Sequence, residues 1–459
     1  MLTVPGLACD ASATARATAR ATARATVRAT VRATVVAGVF AMLCTPTAMA
    51  QGVAARSTEL VVAPGTALAS VGEAVRRSAV GGRVVVRAGV YREPTIVVDR
   101  PLTIEGESGA ILDGAGRRTI LVVSADDVTV RGLTLRDTGP SQSEERAGVR
   151  VQDAARCRIE GNRFERTLFA IYLAKTSGCV VTRNIVRGPG TPQTVSGNGI
   201  HIWSSERAEV SHNDVLGQRD GIYFEFVRDS RVHDNRSEGS ARYGMHFMFS
   251  DDCVYERNVF RDNGNGVAVM YSKRVTMAGN LFERNWGSAA YGLLLKDISD
   301  SRILGNDFIG NSVALYLEDA NRNVVHGNRF SRNGWALKVM ANAESNSFER
   351  NAFDGNSFDV ATNSRSNYSR FSGNYWDRYR GYDLDRDGTG DVPHAPVRLF
   401  ALVVAQSPPT LILLRSLLVD LLDVAERIIP SLTPETLVDE RPLMRPPVSA
   451  GGANGGAHD

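Results

Sequence analysis

GMHFMFSDDCVYERNVF (residues 244–260) recurs 22 residues later as GVAVMYSKRVTMAGNLF (residues 266–282), and the shared pattern decides the fold. Each stretch opens on Gly, runs through four alternating residues, and reaches an Asn fourteen residues on, two before a Phe. Read outward in both directions, that Asn recurs at 162, 184, 213, 235, 258, 280, 306, 328, 351 and 374, at spacings of 22, 29, 22, 23, 22, 26, 22, 23 and 23. Fourteen residues before each of the first eight stands a small residue: Gly148, Ala170, Gly199, Gly221, Gly244, Gly266, Gly292 or Ala314. Self-similarity at a fixed short period means a solenoid. Alternation of side chains means strands rather than helices. The reading is all-β: a right-handed parallel β-helix with coils of about 22–23 residues over 81–380. Stacked coils lie about 4.8 Å apart, so each inward Asn can hydrogen-bond the Asn above and below it. The two longer spacings mark loops, at Gly188–Asn198 and near Trp286–Tyr291.

The ends of the chain read differently. Arg16, Arg20, Arg24, Arg28 and Arg32 lie in an Ala/Thr background, followed by an apolar run, Val35–Leu43, and by Ala48-Met49-Ala50. That order is a signal peptide, residues 1–50, expected to be cleaved after Ala50. The run is too short for a membrane span, which needs roughly 20 apolar residues. Residues 51–80 are expected to form an N-terminal cap, with a short amphipathic helix at Leu68–Ser78 shielding the first coil. With 53 basic and 50 acidic residues the chain has no basic stripe, and nucleic acid is set aside as a partner.

Beyond Asn374, within an Asp-rich turn at 381–400, YDLDRDGTGD places Asp383, Asp385, Asp387, Gly388 and Asp391 at positions one, three, five, six and nine of a calcium loop. Position twelve is His394 instead of Glu, so a structural Ca²⁺ competes with a plain Asx-rich turn. Residues 401–442 read as a C-terminal amphipathic helical segment, with Leu411, Leu414, Leu418, Leu421, Leu422 and Ala425 at helical spacing. Its charges argue against crossing a bilayer. It either lies on a membrane protein or caps the last coil. The tail, 443–459, reads as disordered.

The register assigns every side chain a direction. Cys157, Cys179 and Cys253 fall in an inward column of small residues and read as buried, inert thiols, with a disulfide between the adjacent coils of Cys157 and Cys179 left open. Outward columns carry His201, Tyr223 and His246; Trp203, Glu225, Met248 and Met270; and Phe226, Phe249 and Tyr271. Thioethers with an imidazole suit Cu(I), so Met248, Met270, His246 and nearby Glu225 form a candidate exposed copper site. The plainer alternative is that another segment covers this face.

Four strings carry a family resemblance: GMHFMFS (244–250), VAVMYS (267–272), YGLLLKD (291–297) and NYWDRYRGYDLDRDGTGDVP (374–393). They resemble NosD, the periplasmic β-helix protein of nitrous oxide reductase maturation, over roughly residues 59–442. The Ala-Thr-Arg leader is no part of that pattern. The resemblance implies a non-enzymatic, periplasmic role beside the inner membrane on an ABC transporter, with a NosY-like membrane subunit and a NosF-like ATPase. It also implies copper received from a NosL-like lipoprotein for the copper-sulfide centre of the reductase. The competing class is a polysaccharide-binding or polysaccharide-modifying β-helix, a lyase or epimerase. Such an enzyme needs clustered outward carboxylates, and Glu225 and Glu318 lie about four coils apart.

Overall fold

The computed structural model describes residues 57–141, 143–188, 196–363, 367–413, 416–417, 419, 421–422 and 437–447; the leader lies outside them. Among the described residues, the strands stack into three parallel sheets of 14, 13 and 12 members. One coil contributes a strand to each, as in Tyr243–Met248 to the third sheet, Val254–Glu256 to the first and Val259–Arg261 to the second. Met245, Phe247, Tyr255 and Phe260 of that coil point inward and are fully buried. The coil-opening position is buried and small throughout, with Ala accommodated at 170 and 314 and no Cβ tolerated without a shift at Gly244. A Cβ on Gly244 would meet the Gly266 carbonyl at 2.7 Å.

The asparagine ladder is continuous. Asn258 donates its backbone N–H and its amide Nδ2 to Asn280 Oδ1, both at 3.0 Å, and Nδ2 also reaches the Val232 carbonyl. Its own Oδ1 accepts the same pair from Asn235. Each amide of this ladder is thereby satisfied, which is the condition for placing so many in a core. A second ladder runs five residues behind the first, through Asn263, Asn285, Asn311, Asn333 and Asn356. Phe282, Phe308, Phe330 and Phe353 stack between the two ladders at centroid distances of 4.6–4.9 Å.

Both ends are closed. The N-terminal cap is built as expected, with helix α1 at Val71–Arg77, but it also gives the first sheet a strand, Ser57–Val62, paired to Ser78–Val86. Ser70 caps α1, and Glu93 accepts from Val71 N and Gly72 N. At the other end the chain returns: Leu437 enters the core and Asp439 is fully buried against the last Asn, Asn374. The tail reading is corrected here. Leu443 N donates to the Asn374 carbonyl and Met444 N to that of Gly388, so residues 443–447 belong to the closure.

The C-terminal helical reading also shifts. The chain turns helical earlier, in α2 at Leu399–Gln406, and Pro408–Leu413 form a 3-10 turn; Leu414 and Leu418, like all of 423–436, lie outside the described residues. Phe400, Ala401, Val404 and Val419 pack on Val313, Trp335, Phe358 and Ala361, covering the outer face of the last coils in the third sheet. Among the described residues no helix is long and apolar enough to cross a membrane. Cys157 and Cys179 are joined by a disulfide between adjacent coils, which corrects the reading of both as thiols. Cys253 is free, and burial pushes its thiol up to about 12, so it is inert as expected.

Candidate functional site

The outer face of the third sheet remains open where α2 stops. Glu225, Met248 and Met270 are register partners on three consecutive strands, followed by Lys296 and Glu318. Both methionines are half-buried, with Tyr223 Oη 3.6 Å from Met248 Sδ. Beside them Phe226, Phe249 and Tyr271 stack at 5.0 and 4.9 Å while remaining 41–49% exposed. All three adopt left-handed backbone, at φ +55, +48 and +52, where bulky residues are uncommon. The corner positions above and below hold Ser204 and Asp297. Left-handed backbone recurs at this corner on coil after coil, from Asp153 to Asp319, so what sets these three positions apart is their exposed, stacked rings beside two thioethers.

The imidazoles are placed otherwise than the columns suggest. His201 and His246 point outward from the coil but are buried, packed among Tyr172, Tyr223 and Tyr243 at centroid distances of 4.6–4.9 Å. Burial, reinforced by Arg219 and by a second guanidinium in each case, pushes both down to about 3, so they are neutral at any physiological pH. Arg242 Nη2 donates to His246 Nδ1 at 2.7 Å, and Asn198 Nδ2 lies 3.1 Å from His201 Nδ1. A guanidinium only donates, so His246 carries its proton on Nε2. That atom, His201 Nε2 and both polar atoms of Gln218 are buried without a hydrogen-bond partner among the described residues.

Asp220, fully buried, anchors this cluster: Arg242 Nε lies 3.1 Å from its Oδ1 and Arg219 Nε 3.7 Å from Oδ2. The desolvated carboxyl is pushed up, against the pull of the two arginines. The columns gave no sign of this network. Its only sequence trace is an Arg two residues before the coil-opening Gly, in RDG at 219–221 and RYG at 242–244.

The Asp-rich loop brings together part of its expected set. Carboxylate oxygens of Asp383, Asp385 and Asp387 lie within 4.8 Å of one another. Asp391 is turned away from them and accepts from Leu384 N at 2.7 Å. Glu318 forms an ion pair with Lys296 at 3.3 Å and Glu225 faces Met248, while the carboxyl of Asp297 is pushed up by burial and by the neighbouring charges of Asp319 and Glu318.

The chain is a capped parallel β-helix with thioethers and aromatic rings on one outer face. Comparisons with known proteins bear on its fold and family. A family model described as periplasmic copper-binding protein (NosD) matches residues 189–381, and one for the right handed beta helix region matches 118–250. The "Probable ABC transporter binding protein NosD" of Pseudomonas aeruginosa is 32% identical over 387 residues, covering 80% of this chain and 89% of that protein. Its counterpart from Stutzerimonas stutzeri is 30% identical, covering 78% and 86%. The chain belongs to the NosD family. Among solved structures, the catalytic domain of a GH87 alpha-1,3-glucanase aligns at TM-score 0.56 and 12% identity, covering 69% of each chain, a likeness of fold alone.

Proposed function

We propose that this protein is the non-catalytic periplasmic component of an ABC-type maturation system, and that it passes Cu(I) toward the copper-sulfide centre of nitrous oxide reductase. The observation that carries the reading is the register of Met248 and Met270. Two thioethers on neighbouring strands, about 4.8 Å apart along the stack, stand half-open beside the aromatic ridge of a NosD-family chain. Two soft sulfurs can share one Cu(I) weakly, which suits transfer rather than storage. His246 becomes a third ligand only when Arg242 releases Nδ1; until then the imidazole is withheld. Glu225, the register partner of Met248, gives the site its nearby carboxylate. The ridge would receive a NosL-like copper donor or the reductase. Exposed Ile412, Leu417 and Leu421 would meet a NosY-like membrane subunit coupled to a NosF-like ATPase.

The test is competition against a chromophoric Cu(I) chelator. Wild type should take up one weakly held ion. Met248→Leu/Met270→Leu should hold it about tenfold or more weakly with an unchanged melting temperature, because the swap nearly conserves volume. Equal uptake by the two proteins would remove the thioethers from the reading.

The same proposal gives Asp383, Asp385 and Asp387 a structural Ca²⁺ that fixes the C-terminal closure, since Gly388 and Gly390 of that loop bond Met444 and Pro442. At Ca²⁺ a hundredfold above its dissociation constant the ion contributes about 2.7 kcal/mol. A chelator should therefore lower the melting temperature of wild type by a few degrees and leave Asp385→Ala where it is. Identical responses would make the loop a simple turn.

A further inference from the structure

A different set of donors converges at the corner between the first and second sheets. His233 closes the strand Arg231–His233, Asp234 follows it at the turn, and His212 occupies the same corner one coil earlier. His212 N donates to the His233 carbonyl at 3.2 Å, which fixes the two coils in register here. The corner residue directly before each ladder Asn is Gly at 161, 279, 305, 327 and 373, where left-handed backbone is cheapest. On these two coils it is His212 and Asp234, at φ +56 and +55, so both side chains radiate outward about one coil spacing apart.

One ligand atom from each of His212, His233 and Asp234 lies within 4.8 Å of the other two. Asp234 Oδ2 lies 2.8 Å from His233 Nδ1, whereas Glu209 Oε1 lies 3.4 Å from Nε2 on the other side of the ring. His212 is exposed and its ring meets His233 edge-on at 5.7 Å, so a side-chain rotation brings it in. Asp234 is held by Arg257 at 2.9 and 3.0 Å, as other corner aspartates are held by the Arg of the next coil, for example Asp252 by Arg274. That pairing keeps the carboxylate ionised and aimed at the corner; Oδ2 also faces His233 Nδ1, while Oδ1 retains a lone pair. It does not account for His212, which stands outside the Asp–Arg scheme.

We propose that His212, His233 and Asp234 form an exposed site for a borderline divalent cation of the Zn²⁺ or Cu²⁺ class. Two imidazoles and a carboxylate without sulfur favour such ions over Ca²⁺, Mg²⁺ or Cu(I). The site lies on a different face from Met248 and Met270 and does not depend on their role.

The experiment is calorimetric titration of the purified protein, free of any affinity tag, with Zn²⁺. Wild type should show saturable one-to-one binding. His212→Asn, which tolerates the left-handed backbone, and His233→Gln should each weaken it about tenfold or more. The calcium-loop variant Asp385→Ala should bind as wild type does. Because His212 is exposed, His212→Asn melts like wild type without metal, and it decides the matter should His233→Gln prove unstable. Failure to saturate, equal affinity in wild type and His212→Asn, or loss of binding in Asp385→Ala would each overturn the proposal.

Discussion

Asp439→Leu should destabilise the protein by at least about 3 kcal/mol and free the C-terminal strand from the stack. The ladder explains the size of the effect. Every interior Asn passes two donors to the next Oδ1, so the last Asn needs an acceptor that itself passes nothing on. Asp439 meets that need: Oδ2 accepts from Asn374 N and Nδ2, both at 2.9 Å, and from Trp376 Nε1 at 3.1 Å, while Oδ1 accepts from Gly373 N at 3.0 Å. Leu would strand these donors, three of them on buried residues, at about 1–3 kcal/mol for each buried donor without a partner. The sum is not additive, hence the lower bound. Asp439→Asn keeps one acceptor oxygen but turns an NH₂ toward donors, and should fall between the two. Asn280→Leu, which breaks an interior rung in both directions, should cost a comparable amount. The measurement is the denaturant midpoint, together with proteolysis of the 437–447 segment. An unchanged midpoint in Asp439→Leu would mean that the returning strand merely lies against the coil.

How much of this is legible in the sequence depends on whether a feature repeats. The Asn column, the small residue fourteen positions earlier and the inward Phe recur in nearly every coil, and a period-two chain leaves their direction no freedom. Their placement follows from spacing alone. The second ladder was as periodic but shorter. Its positions before Asn263 hold Thr167, Gln218 and Ser240, so the column looked mixed. Single events were not legible. Asp439 sits 65 residues from the Asn374 it closes, with no repeat to announce it.

The imidazoles failed for another reason: outward from the coil was taken to mean exposed to solvent. Tyr223, Tyr243 and Arg242 are large enough to close over His201 and His246, and spacing carries no information about such coverage. The cysteine column was placed correctly, but position alone does not distinguish two thiols from a disulfide. Direction was readable. Depth of burial and covalent state came only from the three-dimensional structure.

The largest functional effect is expected from the thioether pair. Nitrous oxide reductase matured beside Met248→Leu/Met270→Leu, in a host lacking any other copy of this protein, should reach the periplasm folded but without its catalytic copper-sulfide centre. Exchange chemistry sets this expectation. A transfer surface must accept Cu(I) from one partner and lose it to the next, so it needs few, flexible ligands reachable from outside. Met248 and Met270 meet those conditions, being half-open, paired in register and flanked by the Phe226–Phe249–Tyr271 ridge where a partner would seat. Leu keeps the volume and removes only the sulfur lone pairs, so loss of the centre would report ligation rather than folding. His246 refines the prediction. Its Nδ1 is occupied by Arg242, which ties its use to movement of that guanidinium. Asp220→Asn/Arg242→Met, which removes the buried carboxylate charge together with its partner, would free the ring and should tighten Cu(I) binding while slowing its release, lowering the yield of mature reductase by a different route. The two variants thus predict opposite changes in affinity and the same loss of product. Full maturation beside the double methionine variant, with Cu(I) uptake unaltered, would reduce this face to a docking surface and move the copper site elsewhere.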